Sequence, residues 1–115
     1  SRFIEQIMVI GENQKHPSAL IVPTFDFLRG WCERKGIEAK ILSNEQLITQ
    51  PQIKERLMKE IEELNKQFGQ WECVKNPRFL NEEFSVDGGE LTPTLKLKRK
   101  NILVKYAKQV GEIYG

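Results

Sequence analysis

Residues 3–10, Phe-Ile-Glu-Gln-Ile-Met-Val-Ile, are dominated by large and β-branched apolar side chains and stop at Gly11. Such a run predicts a strand buried on at least one face. A polar stretch bounded by Gly11 and Pro17 follows. After it, Ser18-Ala19-Leu20-Ile21-Val22 forms a second short apolar run, closed by Pro23. Two strands with a loop of about seven residues between them predict an antiparallel hairpin.

The apolar period then lengthens to that of a helix. Phe25, Leu28 and Cys32 recur at three- and four-residue spacing with Trp31 beside them, which predicts a helix over 25–35. Thr24 is positioned to cap its start and Gly36 to close its end. Ser43 and Gln46 have capping-box spacing for a short helix, Asn44–Thr49. From Pro51, Ile53, Leu57, Ile61, Leu64 and Phe68 make one apolar stripe, and Gly69 marks its end. On the polar side of that helix, Glu55 and Lys59 are spaced as an i,i+4 ion pair. Residues 73–86 read as extended chain broken by Pro77, with Val74, Phe79, Leu80 and Phe84 as the buried positions. Asp87-Gly88-Gly89 is a turn signal. A last helix is expected over 97–114, with Ile102, Tyr106, Val110 and Ile113 on its apolar stripe.

These elements compose an α+β fold: a small, largely antiparallel sheet flanked by helices, in a single domain spanning 1–115. The 115 residues suffice for a hydrophobic core, and 39% apolar with 30% charged residues is globular composition. No apolar run approaches the roughly 20 residues of a membrane-spanning helix. No charged n-region with a long apolar stretch opens the chain, so a cytoplasmic setting is expected. The chain lacks an initiating Met and enters a strand-like run almost at once. That points to a piece of something larger, although processing or a tag remnant would produce the same start. Cys32 and Cys73 stand apart without metal or redox spacing and read as free thiols. With a single His beside them, no transition-metal site is expected.

Charge sharpens the picture at one end. The net charge of +2 divides into +5 for residues 96–115 and −3 for residues 1–95. A basic end on a slightly acidic body calls for an anionic ligand or for simple solvation. Just ahead of the last helix runs Gly89-Glu90-Leu91-Thr92-Pro93-Thr94-Leu95-Lys96-Leu97-Lys98-Arg99-Lys100. It combines a tight turn, two hydroxyls around a proline, and a lysine. Pro93 fixes its own φ and biases Thr92 toward extended geometry, so the loop is stiff enough to hold an ammonium in place. The helix start that follows would favour an anion. On composition alone, a solvated basic helix start is the better explanation of the segment, and no Walker-type phosphate loop is present.

Residues 89–100 resemble the last core motif of the AMP-forming acyl-CoA synthetases, in the long-chain fatty acid CoA ligase branch. Thr92, Thr94 and Lys96 match the Thr, Ser and Lys of the wider superfamily's motif, and Leu95 stands where many relatives have Gly. Residues 4–11 followed by 19–23 resemble the strand pair that begins the body of that family's small C-terminal domain. The resemblance implies a C-terminal lid domain of adenylate-forming enzymes. It implies a two-step reaction, in which a fatty acid and ATP give acyl-AMP and CoA then displaces AMP. It implies that ATP and Mg²⁺ are held mainly by an N-terminal adenylate-binding domain, the lid's partner, and that the lid swings between two orientations. Lys96 is then the adenylation lysine, with Gly89, Glu90, Thr92 and Thr94 supporting its loop. Lys98, Arg99 and Lys100 are candidate contacts for CoA phosphates. The hinge residue and the phosphate-binding loop lie outside this chain, so it should not catalyse alone.

Other conspicuous residues carry less. His16 reads as a surface residue, Trp31 and Trp71 as core or domain-contact anchors, and Glu60, Glu62 and Glu63 as a solvated helix face. Lys105 and Lys108 read mainly as solubility. A small nucleic-acid-binding or protein-interaction module is the rival class. It lacks interleaved aromatics and an RNP-type motif, and no nucleic-acid partner is expected. Peripheral membrane contact of the full enzyme stays open.

Overall fold

A computed structural model describes residues 1–115. Strands β1 (Ile4–Ile10) and β2 (Ser18–Pro23) form the expected antiparallel hairpin, in register from Ile4 opposite Pro23 to Ile10 opposite Ser18. An irregularity between Ile4 and Gln6 bends the start of β1. A two-residue strand, β3 (Arg78–Phe79), adds to β2 in parallel, so the sheet is mixed with order β1-β2-β3. The long pairing remains antiparallel.

Every residue of β2 is buried, because the sheet is covered on both faces. Period-two alternation divides its side chains. Leu20 and Val22 join Met8, Ile10, Leu80, Phe84, Leu91, Ile102, Tyr106 and Ile113 on one face. Ala19 and Ile21 join Ile61 and Val74 on the other. Fully burying each large aliphatic side chain here contributes roughly 1.5–3 kcal/mol.

Helices α1 (Phe25–Arg34), α2 (Asn44–Thr49) and α3 (Pro51–Asn65) enclose a further cluster of Phe3, Leu28, Cys32, Leu47, Ile53 and Leu57. The Ser43–Gln46 capping box is formed in both directions: Gln46 N donates to Ser43 Oγ at 3.1 Å, and Ser43 N to Gln46 Oε1 at 2.9 Å. Both cysteines are free, and burial pushes the Cys32 thiol up against the opposing pull of Arg29.

Several local expectations give way to tertiary ties. Thr24 precedes α1 but makes no capping bond; its hydroxyl turns to Glu5 at 3.4 Å. The i,i+4 pair on α3 is Arg56–Glu60 at 2.8 Å, not Glu55–Lys59, and Arg56 also lies over the Phe3 ring at 4.2 Å. α3 ends at Asn65, short of Phe68. The Asn65 amide both donates to Val74 O and accepts from Val74 N, each at 2.9 Å, which replaces continued helix with a cross-link to the strand side. Phe68 is therefore partly exposed and Trp71 is 85% exposed, while Trp31 packs edge-on against Phe3. His16 is half-buried against the Tyr114 ring instead of lying free on the surface.

The C-terminal helix is two helices, α4 (Arg99–Lys105) and α5 (Ala107–Tyr114). Tyr106 leaves helical geometry at φ −107°, ψ 28°. Its ring packs on Phe84 while the preceding Lys105 reaches Glu90, two tertiary ties at adjacent positions. The apolar stripe runs on across the break: Ile102, Tyr106 and Ile113 are buried and Val110 packs beside them. No helix is long and apolar enough to cross a membrane.

Candidate functional site

The segment between Phe84 and α4 is built from a turn and a miniature hairpin. In the turn, the Glu90 and Leu91 N–H groups both donate to Ser85 O at 3.1 Å, and Gly88 N donates to Ser85 Oγ at 2.9 Å. The Glu90 side chain folds inward and is only 2% exposed. One carboxylate oxygen accepts from Ser85 N at 3.2 Å and the other from Lys105 Nζ at 3.1 Å. A Cβ at Gly88 would strike the Glu90 carboxylate and Ser85 Oγ, so a side chain there would have to displace them. Gly89 supplies a left-handed φ of +84°.

Above this base, Leu91 and Leu97 pair as an antiparallel bridge, and Lys98 N donates to Glu90 O at 2.7 Å. Thr92 organises the tip through three groups. Its N–H donates to Lys96 O at 2.8 Å, its carbonyl accepts from Leu95 N at 2.7 Å, and its hydroxyl accepts from Lys96 N at 3.0 Å. The Thr94 hydroxyl lies 3.2 Å from that of Thr92. Leu95 closes the turn with φ +65°, a left-handed conformation that costs a non-glycine residue about 1–2 kcal/mol. Lys96 therefore leaves a loop whose backbone is bonded on both sides of it.

The Lys96 ammonium is exposed and takes part in none of the domain's four ion pairs. An unpaired, solvent-facing cation on a braced loop can be presented to an anion held elsewhere without breaking a bond inside the domain. Lys98 and Lys100 are likewise exposed and unpaired. Arg99 differs. Both terminal nitrogens of its guanidinium donate to Val9 O, at 2.8 and 2.7 Å, so it ties the loop to the end of β1. The Asn101 amide donates to Gly89 O at 3.0 Å and completes the brace. α4 begins only at Arg99, three residues after Lys96, because Leu97 is taken by its bridge to Leu91.

Lys96, Thr92 and Thr94, close in sequence, come together in one turn. Glu90, expected to support the loop, finds its partner in Lys105, which is expected among the solvating bases. The hydrogen bond it donates to Glu90, opposed by desolvation, holds the Lys105 ammonium above the usual lysine range, and burial pushes the neighbouring Tyr106 phenol up as well. The alternation Leu91, Leu95, Leu97 around Pro93 was the available signal for a hairpin. Nothing in sequence signals that Lys105 meets a carboxylate fifteen positions earlier. No group of three or more His, Cys, Asp or Glu side chains is placed to hold a metal ion.

No protein-family model matches the chain. Among curated proteins it is similar to long-chain-fatty-acid–CoA ligase 1 of Homo sapiens, at 32% identity over 97% of this chain and 16% of that enzyme. It is similar, also at 32% identity, to long-chain-fatty-acid–CoA ligase FadD15 of Mycobacterium tuberculosis, over 97% of this chain and 18% of that protein. The chain thus spans under a fifth of the length of these relatives. Among solved structures, the A-PCP didomain of carboxylic acid reductase from Segniliparus rugosus, in complex with AMP, shares the fold. The TM-score is 0.72 at 17% identity, over 99% of this chain and 14% of that one.

Proposed function

The chain is homologous to the adenylate-forming superfamily of AMP-binding and acyl-CoA-ligase enzymes, and on that premise we propose that it is the C-terminal lid of a long-chain fatty acid–CoA ligase. Lys96 is the residue it delivers for adenylation. The observation that carries the reading is the unpaired Lys96 ammonium on a loop bonded on both sides of it. In the first step a fatty acid carboxylate oxygen attacks the α-phosphorus of ATP, and pyrophosphate leaves with the electrons of the broken P–O bond. Attacker and target both carry negative charge. A single ammonium between them offsets the repulsion and the charge that accumulates on the phosphoryl oxygens. In the second step the CoA thiol displaces AMP, and Lys98 and Lys100 are candidate contacts for CoA phosphates. ATP and Mg²⁺ are then held by the upstream adenylate-binding domain, this domain's own partner. On this reading the reaction takes place in the cytoplasm, and the isolated domain is inactive.

The geometry of the loop separates its supports. Thr92 positions Lys96 directly, Thr94 sits beside that hydroxyl, and Gly89 and Glu90 fix the base. Lys96→Ala in the full enzyme should lower acyl-AMP formation by about 100-fold or more, the scale of losing one preorganised charge stabiliser. Thioester formation from preformed acyl-AMP and CoA should be largely spared. The measurement is pyrophosphate release against acyl-CoA formation from supplied acyl-AMP. Undiminished pyrophosphate release by Lys96→Ala would refute the assignment.

A further inference from the structure

We infer that Leu95 is a docking residue of the Lys96 loop. Its side chain seats on an apolar, acid-rimmed face of the adenylate-binding domain as the lysine is delivered, an inference that rests on the reading of Lys96 above. The backbone states the problem. Leu95 holds φ +65°, which glycine or asparagine adopts with less strain, and its side chain is 68% exposed. It belongs to none of the domain's apolar clusters. Within this domain, then, a leucine at this position carries strain and returns little packing. Its contribution must come from a surface outside it.

The same unit displays more of the kind. Val86, Leu97 and Val104 are also exposed large apolar residues, and Val104 borders a shallow cavity of about 320 Å³ with the Gly88–Glu90 turn. With Leu95, all four of these exposed apolar residues fall within residues 86–104, the segment that carries Lys96. Lys96 and Lys98 flank Leu97 and Lys100 follows, all three without ion-pair partners, so the complementary surface is apolar with an acidic rim. The curated relatives are some six times the length of this chain, since it covers 16% of the human ligase, so in them a body of the right size lies on the same polypeptide.

Three variants of the full enzyme test the inference: Leu95→Gly and Leu95→Asn, which keep the turn and remove the apolar contact, and Leu95→Met, which keeps both. The first two should form acyl-AMP at least tenfold more slowly, with thioester formation from supplied acyl-AMP changed less than twofold and Tm unchanged or raised. Leu95→Met should stay within threefold of the parent in both steps. Leu95→Asn at the parental rate, or Leu95→Met as slow as Leu95→Gly, would overturn the inference. So would an equal fall in both half-reactions. A loss confined to KM for the fatty acid would overturn it by assigning the side chain to the acyl chain. Dissociation of a dimer by Leu95→Asn in sedimentation would overturn it in favour of a second copy. Lys96→Ala run alongside separates the two readings. If Lys96→Ala leaves adenylation intact, the functional reading fails; if it abolishes adenylation while Leu95→Gly and Leu95→Asn do not slow it, only the role of Leu95 fails.

Discussion

Glu90 and Lys105 decide how firmly the loop is based. A carboxylate 2% exposed has two tethers, one backbone N–H and one ammonium, and the ammonium comes from a side chain still 41% exposed. Lys105→Met should therefore cost about 1–3 kcal/mol, the penalty for leaving a buried polar group short of a partner. Because the two residues act as a unit, adding Glu90→Gln should recover part of that loss. A double-mutant cycle by urea denaturation measures the coupling, and strictly additive effects would contradict the tie. The pairing also shows where residue-level reading stops. Thr92 and Lys96 are four positions apart, and their bond follows from local chain geometry. Glu90 and Lys105 meet only because α4 folds back over the turn. Charge counting could see Lys105 as one of six bases in the basic end but not as the one facing inward.

At the scale of elements, caps and ends are the test. The Ser43–Gln46 box was legible because it is a contact between residues three apart, and both of its bonds are formed. The Thr24 cap was equally legible and does not form, since Glu5 on the adjacent strand competes for the hydroxyl. Two substitutions separate these cases. Ser43→Ala should lower stability by about 1 kcal/mol, whereas Thr24→Ala should cost less than about 0.5 kcal/mol. Equal losses in chemical denaturation would mean that Thr24 caps α1 after all. The same logic explains the shortened α3 and the divided C-terminal helix. Apolar period gave the correct buried stripe in both, Ile53, Leu57 and Ile61 in one and Ile102, Tyr106 and Ile113 in the other. It could not give their ends, because Asn65 and Tyr106 are committed to partners in other elements.

For the whole molecule, pH gives a single-signed expectation. Cys32, Tyr106 and Tyr114 are pushed up chiefly by burial, and Lys66 and Lys105 by hydrogen bonds to Glu63 and Glu90. In each case the folded state binds its proton more tightly than the unfolded chain. The stability they contribute is therefore complete below the unfolded values and lost as pH rises through the folded ones. Unperturbed thiols titrate near about 8.5 and phenols and lysines near about 10, so the loss should begin above roughly pH 8.5 and steepen beyond about 10. Tm measured from pH 7 to 11 checks this, and a rising Tm over the alkaline half would contradict it. Local order along the chain was enough for the α+β class, the hairpin, the stripes and the segment that bears Lys96. All of these depend on the succession of apolar, polar and turn residues within a dozen positions. It took tertiary contacts to decide that β3 joins in parallel, that α4 and α5 part at Tyr106, and that Lys105 grips Glu90. Only there, too, does Leu95 stand strained and exposed beside Lys96. Each of these is a bond or a vacancy between segments distant in sequence, and chain order carries no information on which distant groups will meet until the core brings them together.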